Sequence, residues 1–361
     1  MPGRKSPVVI ERRPTMMDVA AVAGVSQATV SLVLNGSPGV KLSIDTRQRV
    51  QQAAKTLGYH FVRRGSARGV EGQTAIVFIA DELTTDPWMA LAFEGARDKA
   101  LESGATACLA LSHGDADIEA AIVEQTNYLH VVGFIYGTIL TRQVEVPAAL
   151  LEQRTMLLNC YDAKNRLPSV LPDDLLGGQV ATEHLLQAGR RRIALINGQQ
   201  GLDGSRDRLN GYKQALAGAG IMFDASLVRP GNWEPSSGYE MTLDLMAQKH
   251  PPDAIFCAND MMALGCFDAL SKLGLNVPND VSVIGFDDRE VAQFAHPPLT
   301  TLVLPHYEMG QIAATTLLDA TSPNFSRPDR RRVECTLIDR SSVRVSGTRR
   351  RAAKPASIDA R

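Results

Sequence analysis

The chain has 361 residues, with 38 Lys or Arg against 39 Asp or Glu and 44% hydrophobic residues. That is enough apolar material for a sizeable core over two or three domains, and it excludes a wholly disordered or collagen-like chain. Cys108, Cys160, Cys257, Cys266 and Cys335 are odd in number and lack CxxC spacing, which argues against a disulfide-stapled secreted module. The N-terminus has no apolar signal core and no stretch is apolar for long enough to span a bilayer, so a cytoplasmic protein without membrane contact is expected.

The near-neutral total conceals a strong asymmetry. Residues 1–70 hold 11 Lys or Arg against 3 Asp or Glu, and residues 340–361 hold 7 against 1, while the stretch between carries 20 against 35. A basic head on an acidic body points to a polyanionic partner at one end. Residues 1–14 read as a flexible basic arm and 341–361 as a disordered basic tail. From Thr15, which has Asp18 at capping-box spacing, a first helix places Met16, Val19, Ala20 and Ala23 on one side and stops at Gly24. Ser26 caps a second helix reaching Asn35, with Val30, Val33 and Leu34 apolar. After GSPG (36–39), a third helix from about Thr46 to Leu57 turns Val50, Ala53, Ala54 and Leu57 inward. This is the helix-turn-helix plan over 15–62.

At the start of the second helix Gln27 and Ala28 share a face with Leu32 one turn on. Glutamine can donate to and accept from an adenine edge, while alanine and leucine pack on thymine methyls. Ser26, Thr29, Ser31 and Asn35 offer short groups suited to phosphate oxygens. The competing reading of this module is a small helical packing or dimerisation unit. Residues 16–35, MMDVAAVAGVSQATVSLVLN, together with Thr46-Arg47, Val50 and Leu57-Gly58-Tyr59, closely resemble the head of LacI/GalR-family transcription regulators. The resemblance implies that Gln27, Ala28 and Leu32 read bases in the major groove, and that Thr15, Ser26, Thr29, Ser31 and Asn35 position the backbone. Position 32 is commonly arginine in that family. Leu32 removes a bidentate guanine contact, so the operator is expected to differ from the common half-site.

Residues 63–73 read as a hinge carrying Arg63, Arg64 and Arg68. In the resembled family an alanine-rich segment here folds on DNA and wedges a leucine into the minor groove. Arg68 falls at the wedge position and Gly65 replaces the usual alanine, which puts kinking in doubt but leaves an arginine suited to a narrow A·T groove.

From Thr74 short apolar runs alternate with helical stretches. TAIVFIA (74–80), TACLALS (106–112), VVGFIY (131–136) and TMLLNC (155–160) form one series. RIALING (192–198), LVRP (227–230), DAIFCAN (253–259) and VSVIGFDD (281–288) form another, with helices at 88–103, 177–188, 206–219, 236–248 and 261–273. The pattern predicts two α/β lobes with parallel sheets, whose ligands bind at strand carboxyl ends. Asp81, Asp173, Asp174, Asn197, Asn259, Asp260, Asp287 and Asp288 occupy such ends, although Asp and Asn there also cap helices. Trp88 and Trp233 fall in loops or at helix starts. Carboxylates, an amide, an arginine and indole faces suit a neutral polyhydroxylated ligand.

The strings ATEHLLQAGRRRIALING, SRDRLNGY, AIFCANDMMALG, DVSVIGFDD and PPLTTLVLPHYEMG are similar to the cores of LacI/GalR regulators and periplasmic sugar-binding proteins, over about 74–340. By that resemblance Arg208, Asn259 and Asp287 bind the effector, Trp233 covers it, and Asp86, Trp88 and Asp173 face it from the other lobe. The resemblance also implies three crossings between lobes: lobe one takes about 74–173 and 306–332, lobe two about 174–303 and 333–340, with a last strand near 333–339.

The seven histidines show no HExxH spacing, and no phosphate-binding loop or nucleophile elbow occurs, so neither an enzyme nor a metal site or cofactor is expected. The expected protein is a homodimeric repressor of carbohydrate-utilisation genes. It would bind near-palindromic double-stranded operator DNA under control of a small neutral sugar. The alternative is an activator or a corepressor-dependent regulator answering a phosphosugar, nucleoside or purine. Residues 341–361 lack an apolar heptad, which favours a dimer over a tetramer.

Overall fold

The computed structural model describes residues 14–35, 43–57, 59, 74–126, 130–319, 322, 325 and 328–343. The arm at 1–13, the hinge arginines Arg63, Arg64 and Arg68 and the tail from 344 lie outside the described residues. Three helices form the head: α1 (Met16–Ala23), α2 (Gln27–Asn35) and α3 (Ile44–Leu57). Thr15 closes the expected capping box: its hydroxyl accepts from the Asp18 N–H at 3.3 Å, and the Asp18 carboxylate accepts from the Thr15 N–H at 2.7 Å. The Ser26 hydroxyl accepts from the Thr29 N–H at 3.1 Å at the start of α2. Met16, Val19, Val30 and Val50 bury the shared face, and Arg49 on α3 donates to the Ala23 carbonyl at 2.7 Å, tying α3 to the end of α1.

The first lobe follows with β1 (Ala75–Ala80), α4 (Trp88–Glu102), β2 (Thr106–Leu111), α5 (Ala116–Thr126), β3 (Val131–Val144), α6 (Ala148–Leu151), β4 (Thr155–Asp162) and β5 (Ser169–Pro172). The second contains α7 (Asp174–Gln187), β6 (Ile193–Asn197), α8 (Asp203–Gly218), β7 (Val228–Pro230), α9 (Pro235–Met246), β8 (Ala254–Cys257), α10 (Asp260–Lys272), β9 (Ser282–Ile284), α11 (Glu290–Phe294) and β10 (Thr301–Leu302). The chain then returns through α12 (His306–Leu318), β11 (Arg330–Val333) and β12 (Leu337–Ile338). The lobe-one sheet runs β11-β5-β4-β3-β1-β2 and the lobe-two sheet β7-β6-β8-β9, both wholly parallel. The inner strands of each sheet are buried on two faces, which is why β1, β6 and β8 read as unbroken apolar runs rather than alternating ones.

Three details depart from the sequence expectation. β3 continues well past 136, because a register break between Gly137 and Arg142 lets its far end pair with the end of β4. β5 is only four residues long, too short to carry a recognisable pattern. The strand expected near 333–339 is divided: Val333 ends β11 inside the lobe-one sheet, and only Leu337–Ile338 pairs, antiparallel, with β10. Three exposed arginines occupy most of β11, so nothing apolar announces it.

The chain passes between lobes after β5, between β10 and α12, and between β11 and β12. α12 is seated on α4 by two glycines. A Cβ at Gly95 would stand 2.0 Å from the Tyr307 carbonyl oxygen, and one at Gly310 would stand 1.9 Å from that of Ala92. Only hydrogen at both positions allows this backbone approach, and it fixes where the start of α12 lies relative to lobe one.

Candidate DNA-reading head and effector cleft

Gln27 and Ala28 open α2, as the sequence suggests, and face the core of the same chain. Gln27 is 9% exposed and borders a 270 Å³ cavity shared with Asp288, Gln293 and Arg340. Ala28 lies with Pro87, Trp88 and Phe294 around a neighbouring hollow. The Ser31 hydroxyl donates to Glu94 on α4, and Gln293 on α11 donates to the Gly24 carbonyl at 2.8 Å. Tyr307 completes the head's apolar cluster. Ser26 and Thr29 are buried and hydrogen-bonded to each other at 2.9 Å, Leu32 and Thr15 are half-buried, and the side chain of Asn35 lies outside the described residues. The head therefore touches both lobes at once, through Glu94 of the first and Gln293 of the second. In this arrangement the edge carrying Gln27 and Ala28 is turned inward.

Between the lobes lies a 450 Å³ cleft, of the size that holds a small ligand. Asp86, Trp88, Arg208, Trp233, Asn259 and Asp287 all line it. Asp173 does not: its carboxylate caps α7 by accepting from the Leu176 N–H at 3.2 Å, and the neighbouring Asp174 lines the cleft instead. Successive residues at a helix start point in different directions, so one of the pair caps while the other faces the ligand space. The remaining strand-end groups are committed elsewhere. Asp81 accepts from the Ile139 N–H and Arg142, Asn197 donates to the Ser205 carbonyl, Asp260 accepts from Thr301 and the Arg289 N–H, and Asp288 pairs with Arg340.

Arg208 anchors the lobe-two wall. It donates to Asp174 at 2.8 Å and to the Ala258 carbonyl, stands 4.0 Å from Asp287, and lies over the Phe286 ring at 3.7 Å. Burial raises the pKa values of Asp174 and Asp287, with the Arg208 charge pulling each back. Asn259 caps α10 by accepting from Met262 N–H at 2.8 Å and donates to the Trp233 carbonyl at 2.8 Å, fixing the loop that carries the indole. Trp233 adopts φ +72° and its ring lies against Gly198. Across the cleft Arg289 of lobe two pairs with Asp86 of lobe one and sits 5.5 Å from the Trp88 ring. Burial lowers the Arg289 pKa.

Sequence reasoning missed Glu82, Asn159, Glu234, Arg289 and His306, which also line the space. Arg289 follows the Asp287–Asp288 pair that was singled out, and that proximity was a usable signal. His306 comes from the crossing between lobes, and a local pattern carries no sign of it. Among the described residues, no group of three His, Cys, Asp or Glu side chains could hold a metal ion, and no single helix is long and apolar enough to cross a membrane.

A helix-turn-helix head joined to two parallel α/β lobes around a cleft defines a class of ligand-responsive DNA-binding regulators. A profile described as bacterial regulatory proteins, lacI family, matches residues 15–61, and one described as a periplasmic binding protein-like domain matches 182–343. The HTH-type transcriptional repressor CytR of Escherichia coli K12 is 32% identical over 93% of this chain and 98% of its own. The HTH-type transcriptional regulator CelR of Thermobifida fusca is 33% identical over 92% of this chain and 98% of its own. Among solved structures, a transcriptional regulator CelR–cellobiose complex is 31% identical over 91% of this chain and all of that one, with TM-score 0.62. A lac repressor dimer bound to operator and the anti-inducer ONPF is 27% identical over 92% of this chain and all of that one, with TM-score 0.63. The chain belongs to the LacI family of DNA-binding transcription regulators, whose members regulate transcription rather than catalyse reactions.

Proposed function

We propose that the protein is a homodimeric repressor of carbohydrate-utilisation genes whose affinity for a near-palindromic operator is set by a neutral sugar bound in the cleft. The observation that carries this is the cleft lining: five carboxylates (Glu82, Asp86, Asp174, Glu234, Asp287) against two guanidiniums (Arg208, Arg289), with one indole supplied by each lobe. Carboxylates and an arginine form paired hydrogen bonds with hydroxyls, and indoles stack on the C–H faces of sugars. The acidic excess disfavours a phosphorylated effector. The CelR–cellobiose structure, similar over most of the chain, supports the same ligand class.

Ligand control follows from the two contacts the head makes. A molecule engaging both Asp86 and Arg208 changes the angle between lobes, and Glu94 and Gln293, one on each lobe, cannot then both keep the head in place. Released from these contacts, the head can turn Gln27, Ala28 and Leu32 towards base edges, with Thr15, Ser26, Thr29, Ser31 and Asn35 along the phosphates. Ligand and operator affinities are then coupled reciprocally, whichever state the ligand prefers. Two heads on one palindrome require a dimer. The β2 edge offers an apolar surface for it, with Leu109 36% and Leu111 37% exposed.

The test is the melting temperature of the full chain against D-ribose, D-glucose, maltose, cellobiose, glucose 6-phosphate, uridine and adenine. Saturation with one neutral sugar, at about a hundred times its Kd, is expected to add about 2.7 kcal/mol of stability. The same sugar is expected to change operator affinity. A response confined to the phosphate or the purine, or an operator affinity indifferent to every compound that binds, overturns the proposal.

A further inference from the structure

Among the side chains that line the cleft, His306 has both of its polar atoms left unanswered by the fold. His306 is 2% exposed, and neither Nδ1 nor Nε2 has a hydrogen-bond partner among the described residues. Its ring stacks on Trp88, with centroids 5.6 Å apart and planes inclined by 25°. It borders the same space as Arg208, Asp287 and Leu304. Buried polar groups are normally paired, because leaving one unpaired costs stability. A phenylalanine would fill this volume and stack on Trp88 without that cost.

The ring is held firmly in place. It is the first residue of α12, and the glycine-mediated contact of α12 with α4 sets the position of that end. Burial, assisted by the Arg208 charge, pushes the His306 pKa down to about 3. At neutral pH the ring thus carries one N–H donor and one bare acceptor nitrogen. A ligand hydroxyl, which both donates and accepts, can answer either nitrogen. A phosphate or carboxylate only accepts, and it meets the surrounding carboxylates as a like charge. Trp233 adds a second buried, unpartnered donor, its Nε1–H, on the same cleft.

We propose that His306 is a ligand-contacting, specificity-determining residue of the cleft: its imidazole exchanges hydrogen bonds with the hydroxyls of a neutral polyhydroxylated ligand, and its stacking on Trp88 sets the plane those hydroxyls must occupy. This rests on the neutral-sugar reading of the cleft and goes further by assigning which group discriminates.

The experiment titrates D-ribose, D-glucose, maltose and cellobiose into wild-type full chain, His306→Phe and His306→Gln at pH 7.5, with melting curves of the ligand-free proteins alongside. Wild type binds at least one sugar. His306→Phe is expected to lose affinity for that sugar by roughly 10- to 100-fold, the effect of removing a buried hydrogen-bonding group from a ligand hydroxyl. His306→Gln, which keeps a donor and an acceptor, recovers part of the loss. Ligand-free His306→Phe melts at or above the wild-type temperature, since an unsatisfied polar group has been removed. A purely structural histidine gives the reverse pattern, with a lower melting temperature and binding within about threefold, and that result overturns the assignment while the sugar reading stands. If no sugar binds wild type, the sugar reading fails and this assignment falls with it.

Discussion

Arg208 carries a buried positive charge that three different neighbours answer. Asp174 takes its hydrogen bond, the Ala258 carbonyl takes another, and Asp287 stands at 4.0 Å. Truncating one partner of such a pair leaves the other charge buried alone. Arg208→Met is expected to destabilise the fold by about 3–5 kcal/mol, measured by urea unfolding. His306 acts on stability through pH instead. Its folded pKa of about 3 lies below the ordinary 6.5, so above pH 6.5 both states are neutral and the group contributes nothing. Below it the unfolded chain binds a proton that the folded chain refuses, and stability is lost as pH falls from 6.5 towards 3. Relative to His306→Phe, wild type should lose about 2 kcal/mol between pH 7.5 and pH 5. In the head, Gln27→Ala should cost about 1–3 kcal/mol on the specific operator and little on random duplex, measured by fluorescence anisotropy at fixed salt. Equal losses on both duplexes would show that Gln27 does not read sequence.

At the scale of elements, the pairing of α4 with α12 governs more than packing. These helices place Trp88 and His306 at their first turns, so the stacked pair in the cleft depends on how closely their backbones approach. Gly95→Ala inserts a methyl where the Tyr307 carbonyl now lies. Because the obstacle is backbone, relief requires the helices to part. We expect a loss of about 1–3 kcal/mol in stability together with weaker sugar binding, read by denaturation and calorimetry on the same preparation. If only stability falls, the helix contact does not control the cleft.

For the whole molecule, the decisive relations are those between head, lobes and partner subunit. The head bridges the two lobes through Glu94 and Gln293, and the Asp86–Arg289 pair spans the cleft, contacts that support the proposed coupling of ligand, lobe angle and head position. The dimer expected from the family has an apolar edge available on β2, where Leu109 and Leu111 are exposed. Leu109→Asp places a charge on that edge. It should shift the sedimentation mass towards one chain at micromolar concentration, with operator binding weakened by at least tenfold as the second head is lost. An unchanged two-chain mass would move the interface to another face.

Much of this was legible from local pattern. The capping box at Thr15, the Ser26 cap and the apolar spacing of the head depend on neighbours three or four residues apart, and the buried parallel strands announce themselves as continuous apolar runs. Charge asymmetry separated head from body for the same reason, since it is a property of composition. Five of the residues lining the cleft, Trp88, Arg208, Trp233, Asn259 and Asp287, were legible from their place at strand ends, helix starts or loops, whereas Asp86 was indicated only by the family resemblance. What local pattern could not decide is which of two adjacent carboxylates turns inward: Asp173 caps α7 while Asp174 lines the cleft. It could not divide 333–339 between two sheets, because three arginines mask β11. Nor could it bring His306 and Arg289 into the site, or turn Gln27 towards the core, because those placements arise where distant segments cross between lobes. Sequence spacing encodes contacts along a helix or strand, whereas the cleft and the docking of the head are made by groups brought together only when the two lobes pack.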